Sequence, residues 1–271
     1  MLNKTNVLFA KPSVLAFVSG IRRAAGDRRK AIVATAGMMA ALMFAGSASA
    51  ALIKTALSIV IDGSGSISGS EFNTQRTAYQ TLLGEASLLP ADGSVIINVV
   101  QFSTRAQLEQ TAIRISTEAD RAILLDALSA TNFTRLGGST NIGGGIVEGY
   151  TDMDALLTTI DVAQFAPDFE KIIDVSTDGQ HNTGTNPTTA TTTAISNGYT
   201  AVNCLGIGAA ANCDWNLGGA DFAASSFDDL QRVLEFKLRQ ELDTEGIPLP
   251  GSLALLGLGL SAFGLVRRRK A

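Results

Sequence analysis

One apolar segment that ends abruptly in acidic and hydroxyl residues constrains this chain more than any other. Residues 56–61 are almost entirely apolar, and a short apolar run bounded by glycine is typical of a strand buried on both faces. The run ends in Asp62-Gly63-Ser64-Gly65-Ser66, which spaces a carboxylate and two hydroxyls two residues apart. Such oxygen ligands suit a hard cation such as Mg²⁺. An ordinary Ser/Gly turn with Asp62 as a helix cap has the same pattern.

Two later segments supply further oxygen ligands. Thr140 lies in the Gly-rich segment 136–145, which opens a predicted helix and would permit close backbone approach to a bound ion. The predicted strand 169–175 breaks into Ser-Thr-Asp178-Gly, which repeats the design of the first strand. Because open α/β sheets bind ligands beyond the carboxyl ends of their strands, we expect these side chains to share one site. The predicted ligands of a divalent cation are Asp62, Ser64, Ser66, Thr140 and Asp178.

The order of predicted elements indicates an α/β fold. Predicted strands are 55–61, 94–102, 106–115, 169–175 and 200–207, and predicted helices are 70–89, 117–128, 142–157, 187–197 and 226–242. The first helix has Ser70 as its predicted cap. Strands that alternate with helices form a mostly parallel sheet covered on both faces. We therefore expect a doubly wound sheet, with segment 106–115 as one antiparallel edge strand.

The amino-terminal segment is predicted to be a secretory signal peptide. A long basic region precedes the apolar stretch 31–46, and Ser47-Ala48-Ser49-Ala50 provides an Ala-x-Ala site with cleavage after Ala50. The basic region is unusually long, so the true start could lie downstream, and Arg28-Arg29 leaves a twin-arginine signal open beside an ordinary Sec signal.

The carboxyl-terminal segment combines prolines, an apolar stretch and a basic cluster. Pro248-Leu249-Pro250 precedes the apolar residues 253–266, and three arginines and a lysine follow at 267–270. This order predicts membrane insertion with the basic end in the cytoplasm. It resembles the PEP-CTERM sorting signal of Gram-negative bacteria, although Leu249 stands where that family usually has a glutamate between the prolines. The resemblance implies cleavage by an exosortase-type enzyme after transient membrane insertion. A permanent tail anchor is the alternative.

The five predicted ligands together resemble the von Willebrand factor A (VWA) family with its metal-ion-dependent adhesion site (MIDAS). That family has Asp-x-Ser-x-Ser after the first strand, a Thr in a Gly-rich loop, and an Asp after the fourth strand. The resemblance covers about residues 55–242 and implies a VWA, Rossmann-like fold. It also implies bound Mg²⁺, Mn²⁺ or Ca²⁺, with one position left for an Asp or Glu carboxylate of a protein partner. We divide the chain into a signal peptide (1–50), a VWA domain (51–245) and a sorting signal (246–271).

The expected function is therefore exported, cation-dependent protein binding of the adhesion type, at the cell surface or in the extracellular matrix of a Gram-negative bacterium. A formal net charge of −4 argues against a nucleic-acid partner. The single histidine, His181, has no well-placed Gly-x-Ser-x-Gly nucleophile, which argues against an enzyme. An exported Mg²⁺-dependent hydrolase and a structural matrix component stay as alternatives. Cys204 and Cys213 predict one disulfide in an exported protein, or else a buried Cys204 with a free Cys213.

Overall fold

The computed structural model describes residues 51–242, in which six strands form one sheet. The strands are β1 (Ile53–Asp62), β2 (Val95–Phe102), β3 (Ala106–Arg114), β4 (Phe165–Thr177), β5 (Ala201–Ile207) and β6 (Asp221–Ala224). Their spatial order is β3-β2-β1-β4-β5-β6. Strand β3 is antiparallel to β2, and every other pair is parallel. The predicted doubly wound sheet with one antiparallel edge strand is confirmed.

Helices cover both faces of the sheet. They are α1 (Gly69–Leu83), α2 (Glu118–Ala127), α3 (Ile142–Leu157), α4 (Pro187–Ser196) and α5 (Leu230–Glu241), with one 3₁₀ turn at Val162–Gln164. Alternate residues of β1 point to opposite faces, as the period of two in a strand requires. Ile59 packs with residues of α1, α2 and α5, whereas Val60 packs with residues of α3 and α4. Because both faces are buried, six of the ten residues of β1 are apolar and only Lys54 is exposed.

The two central strands, β1 and β4, place the candidate site. The chain leaves β1 for β2 on one side, and β4 lies on the other side, so the crevice at their carboxyl ends is the topological switch point of the sheet. Ile61 pairs with Ser176 in this register. Asp62 is the last residue of β1, and Asp178 directly follows β4. Both residues therefore lie at the same edge of the sheet, at the ends of adjacent strands.

The beginning and end of α1 differ from the sequence prediction. Ser68 caps the helix, not Ser70: the Ser68 hydroxyl accepts from the Glu71 N–H at 3.3 Å, and the Glu71 carboxylate accepts from the Ser68 N–H at 2.8 Å. This reciprocal capping box satisfies two backbone donors, which a cap at Ser70 would leave unpaired. The helix ends at Leu83 rather than at residue 89, and Gly84 is its carboxyl-terminal cap.

Two other elements differ from their predicted bounds by more than two residues, and one strand was not predicted. Strand β4 is longer than 169–175: Phe165 pairs with Ile53 and Glu170 pairs with Thr55, with a register shift between these two pairs, and the strand continues to Thr177. Strand β6 was not predicted, since it is only four residues long and is defined by parallel pairing with β5. Helix α5 begins at Leu230 rather than at residue 226, because the residues just before it form a turn.

No helix among residues 51–242 is long and apolar enough to cross a membrane. The predicted signal peptide (1–50) and sorting signal (246–271), with its apolar stretch 253–266, lie outside the described residues.

Candidate metal centre

Backbone hydrogen bonds join the loop after β1 to the Gly-rich loop before α3. The Gly137 N–H donates to the Gly63 carbonyl at 2.8 Å, and the Gly65 N–H donates to the Gly138 carbonyl at 2.7 Å. A Cβ on Gly65 would lie 2.9 Å from that Gly138 oxygen, and Gly138 itself has φ +97°, so both positions require glycine. The glycines therefore allow these two loops to pack backbone against backbone.

The loop after β4 closes the arrangement. The Asn182 amide oxygen accepts from the Thr140 N–H at 2.9 Å, and the Asn182 N–H donates to the Thr140 carbonyl at 3.0 Å. The Ser66 hydroxyl donates to Asp178 Oδ1 at 2.7 Å. Each of the three loops is thus bonded to the other two, which fixes their positions relative to one another.

Four of the five predicted ligands form one continuous chain of hydrogen bonds. Ser64 Oγ and Ser66 Oγ are 3.1 Å apart, and Ser66 continues to Asp178. Asp62 Oδ1 accepts from the Ser64 N–H at 2.8 Å. Thr140 is buried and held through its backbone. Within residues 51–242 its hydroxyl makes no hydrogen bond to the other four side chains.

The two carboxylates are buried to different degrees and lack cationic partners. Asp62 is fully buried, and burial raises its pKa to about 6, with a smaller contribution from the charge of Asp178. Hydrogen bonds from Thr177 and Ser64 oppose that rise. Asp178 is half-buried, and burial is also the main cause of its raised pKa. Across the described part of the chain, neither forms a salt bridge with Lys or Arg.

The side-chain oxygens available at the site fit a hard divalent cation as its ligands. A buried carboxylate without a cation nearby is costly unless a positive charge compensates it. The remaining donors are hydroxyls, and no group of three or more His, Cys, Asp or Glu side chains occurs among residues 51–242. Oxygen donors with few carboxylates suit a cation that retains waters, whereas a structural zinc site would need Cys or His.

Several residues that support the site were not predicted. Thr177 donates its hydroxyl to Asp62 Oδ2 at 2.6 Å, and Gln75 Nε2 donates to the Asp62 carbonyl at 3.1 Å. Arg135 Nη1 donates to the Ser64 carbonyl at 3.0 Å. Thr177 was recognisable as a hydroxyl residue directly before Asp178. Gln75 was recognisable as a polar residue on the buried face of α1.

The glycines that open α3 contact protein atoms, which gives them a role other than the predicted approach to an ion. A Cβ on Gly143 would lie 2.1 Å from the Thr185 carbonyl oxygen, and one on Gly145 would lie 2.7 Å from Val60. These glycines therefore let α3 pack closely on the sheet and on the loop before α4. His181 is partly buried, its pKa is lowered by burial, and it makes no hydrogen bond to a serine in the described residues.

A disulfide holds the loop after β5 against the site. Cys204 and Cys213 are bonded, with S–S 2.01 Å, as the first of the two alternatives predicted. The Asn212 N–H donates to the Gly179 carbonyl at 3.2 Å, and Trp215 Nε1 donates to the Asn212 carbonyl at 2.7 Å. The disulfide and Trp215 therefore support the backbone next to Asp178.

This sheet, its helices and the placement of the three loops define a VWA-like α/β protein. The family model described as "Protein of unknown function (DUF1194)" matches residues 52–244, and the chain belongs to that family. No curated protein matches the sequence.

Solved structures with the same fold include matrix and adhesin proteins. Proximal thread matrix protein 1 from the mussel byssus, with a zinc-occupied MIDAS motif, is 19% identical with TM-score 0.56, covering 72% of this chain and 48% of that protein. A von Willebrand factor type A protein from Catenulispora acidiphila is 19% identical with TM-score 0.54, at 70% and 43% coverage. The pilus adhesin SpaC from Lactobacillus rhamnosus GG is 14% identical with TM-score 0.53, at 70% and 30%. This chain spans less than half the length of each of these proteins. At these low identities, the similarity shows a shared fold alone.

Proposed function

We propose that this chain is an exported protein-binding module of the adhesion type that depends on a divalent cation. The observation that carries the proposal is the chain of oxygen atoms from Ser64 through Ser66 to Asp178, beside the buried and uncompensated carboxylate of Asp62. A site of this kind, at the switch point of an open sheet, is where such folds bind ligands. The presence of adhesins and a matrix protein among its structural neighbours supports the class of function.

The proposed ligands of the cation are Asp62, Ser64, Ser66, Thr140 and Asp178. Two carboxylates would balance the charge of Mg²⁺, and the hydroxyls would add neutral oxygens. When bound, Mg²⁺, or Mn²⁺ or Ca²⁺ in its place, would offer a position to an Asp or Glu carboxylate of the partner. Asn182 and Thr177 would orient these ligands through their hydrogen bonds to Thr140 and Asp62.

The proposed setting is outside the cytoplasm. Residues 1–50 would direct export, residues 51–245 would form the binding domain, and residues 246–271 would be removed by an exosortase-type enzyme after transient insertion in the membrane. The Cys204–Cys213 disulfide supports an oxidising compartment, because such bonds persist mainly in exported proteins. The domain would then act at the surface or in the extracellular matrix of a Gram-negative bacterium.

We do not propose an enzymatic activity, a nucleic-acid partner or a catalytic residue. Nucleophilic hydrolysis would need a base beside a hydroxyl or thiol. His181 contacts no serine through a hydrogen bond in residues 51–242, and both cysteines are disulfide-bonded.

A metal-dependent pull-down tests the proposal. The domain is immobilised and incubated with the native secretome in Mg²⁺ or in EDTA, and captured proteins are compared by mass spectrometry. A partner is expected only with Mg²⁺, and Asp62→Asn should abolish its capture while circular dichroism shows a retained fold. The matched control is Asp168→Asn, which changes an exposed carboxylate in β4 away from the site and should leave capture intact. Equal capture in EDTA would refute cation dependence.

A further inference from the structure

A groove opens directly beside Asp178. It has a volume of about 270 Å³ and is lined by Glu71, Asp178 and residues 207–210 and 225–227. We call it the Asp178 groove. Its volume is below the roughly 300 Å³ at which small-molecule sites begin, so it suits one side chain of a larger partner. Because Asp178 belongs both to the groove and to the proposed metal site, one partner can occupy both.

The two parts of the groove differ in polarity. Ile207, Ala209, Ala210 and Phe227 provide an apolar wall, and Glu71 and Asp178 provide carboxylates. No Lys or Arg lines the groove, within the part of the chain that the structure describes.

Glu71 is the carboxylate that the proposed metal does not use. Its carboxylate accepts from the Ser68 N–H, and the Ser68 hydrogen bonds hold its pKa below the usual value. It therefore carries a negative charge at neutral pH. An acidic side chain in the groove would be repelled, and an apolar one would leave Glu71 without an opposite charge. Lys and Arg combine an apolar stem with a positive head, which matches both parts of the groove.

We propose that the Asp178 groove binds a Lys or Arg side chain of the same partner that offers its carboxylate to the metal. The stem would lie against Ile207 and Phe227, and the charged head would approach Glu71. This inference rests on the proposed function, and it adds a second recognition element: the partner presents an acidic and a basic residue at a fixed separation.

A peptide selection tests both requirements with a defined probe. Phage displaying random heptapeptides are captured by the immobilised domain in Mg²⁺ and eluted with EDTA. We expect the selected peptides to contain an Asp or Glu and, at a constant spacing, a Lys or Arg. Acidic peptides without a basic preference would overturn the groove assignment and leave the metal proposal standing. The absence of any EDTA-eluted phage would instead overturn the metal proposal, and the groove assignment with it.

Variants of the groove then locate the basic residue. Glu71→Gln removes the charge but retains an acceptor for the capping box, since Gln serves at that position. Affinity for a selected peptide, measured by calorimetry in Mg²⁺, should fall about tenfold, which is about 1.4 kcal/mol. The same peptide with its basic residue replaced by Gln should bind both proteins equally.

Two more variants complete the test. Ala210→Leu should weaken binding of the selected peptide by filling the apolar part of the groove. Asp168→Asn, at an exposed carboxylate outside the groove, should bind the peptide like the unchanged protein. Titration of each variant with Mg²⁺ alone separates loss of the metal from loss of the groove contact. If Glu71→Gln weakens the basic and the Gln-substituted peptides by the same factor, the groove does not bind the basic side chain.

Discussion

Replacing Lys237 with methionine should destabilise the domain far more at high pH than at low pH. Lys237 lies in α5 with no exposed surface, and its ammonium contacts Asp174 at 2.5 Å and also Glu241. Asn203 Nδ2 donates to Glu241 Oε1 at 2.7 Å. Lys237→Met would leave two buried carboxylates without a cation, and loss of one partner from a buried ion pair costs about 3–5 kcal/mol.

The ionisation of Glu241 determines whether the stability of the domain rises or falls with pH. Burial, and then the charge of Asp174, raise its pKa from an ordinary value of 4.5 to about 7. Between these two values the folded protein keeps a proton that the unfolded chain releases. Stability therefore falls as pH rises through this window, by roughly 3 kcal/mol at about 1.4 kcal/mol per pH unit. Removal of Lys237 raises the cost of ionising Glu241 further, so Lys237→Met should extend this fall to higher pH and increase the total loss between pH 5 and pH 8.

Urea denaturation followed by circular dichroism at pH 5 and pH 8 measures both effects. Glu241→Gln removes the titrating carboxyl and should flatten the pH dependence. Lys171→Met is the control, because Lys171 pairs with Asp154 where both side chains are partly exposed, and it should cost about 1 kcal/mol or less. A loss below about 1 kcal/mol for Lys237→Met, or an equal loss at both pH values, would refute the argument.

Three further predictions concern the site, the disulfide and the processing of the chain. Mg²⁺ at about 100 times its dissociation constant should stabilise the domain against urea by about 2.7 kcal/mol, and Asp62→Asn should remove this gain; equal stabilisation of both proteins would contradict the ligand assignment. Replacing Cys204 and Cys213 by serine should cost about 2–3 kcal/mol and weaken Mg²⁺ binding measured by calorimetry, because the loop bonded to Gly179 loses its anchor; unchanged affinity would show that the loop does not position the site. The intact mass of the exported protein should match residues 51–250, whereas a mass that includes 253–271 would indicate a tail anchor.

The strands were the most predictable part of the fold. Apolar runs that end in glycine and acidic residues marked the central strands, since strands buried on both faces need apolar side chains throughout. Strand β6 carried no such signal: Asp221 is exposed, the strand has four residues, and its pairing with β5 depends on the register between Cys204 and Asp221. Helix α1 was predicted too long because Leu88 and Leu89 are buried in the core without being helical.

The candidate site was predictable as a set of residues and less so as a geometry. Motif order named the five candidate ligands, but the pairing of Gly65 with Gly138 depends on the approach of loops that are distant in the chain. The raised pKa of Asp62 likewise comes from burial by the surrounding elements, which no local pattern expresses. Thr177 was overlooked because a threonine at the end of a strand is common, and only its orientation toward Asp62 gives it a role.

The hydrogen bonds at the site are compatible with cation binding without rearrangement of the loops. A serine hydroxyl has one proton to donate and two lone pairs. Ser66 gives its proton to Asp178 Oδ1, so its lone pairs are available to Ser64 or to a cation. The backbone bonds between the three loops involve none of these side-chain oxygens. The fold therefore holds these side-chain oxygens in place before any cation binds, which lowers the conformational-entropy cost of binding. Removal of the cation should accordingly abolish capture of the partner while the fold remains, which is the separation that the pull-down relies on.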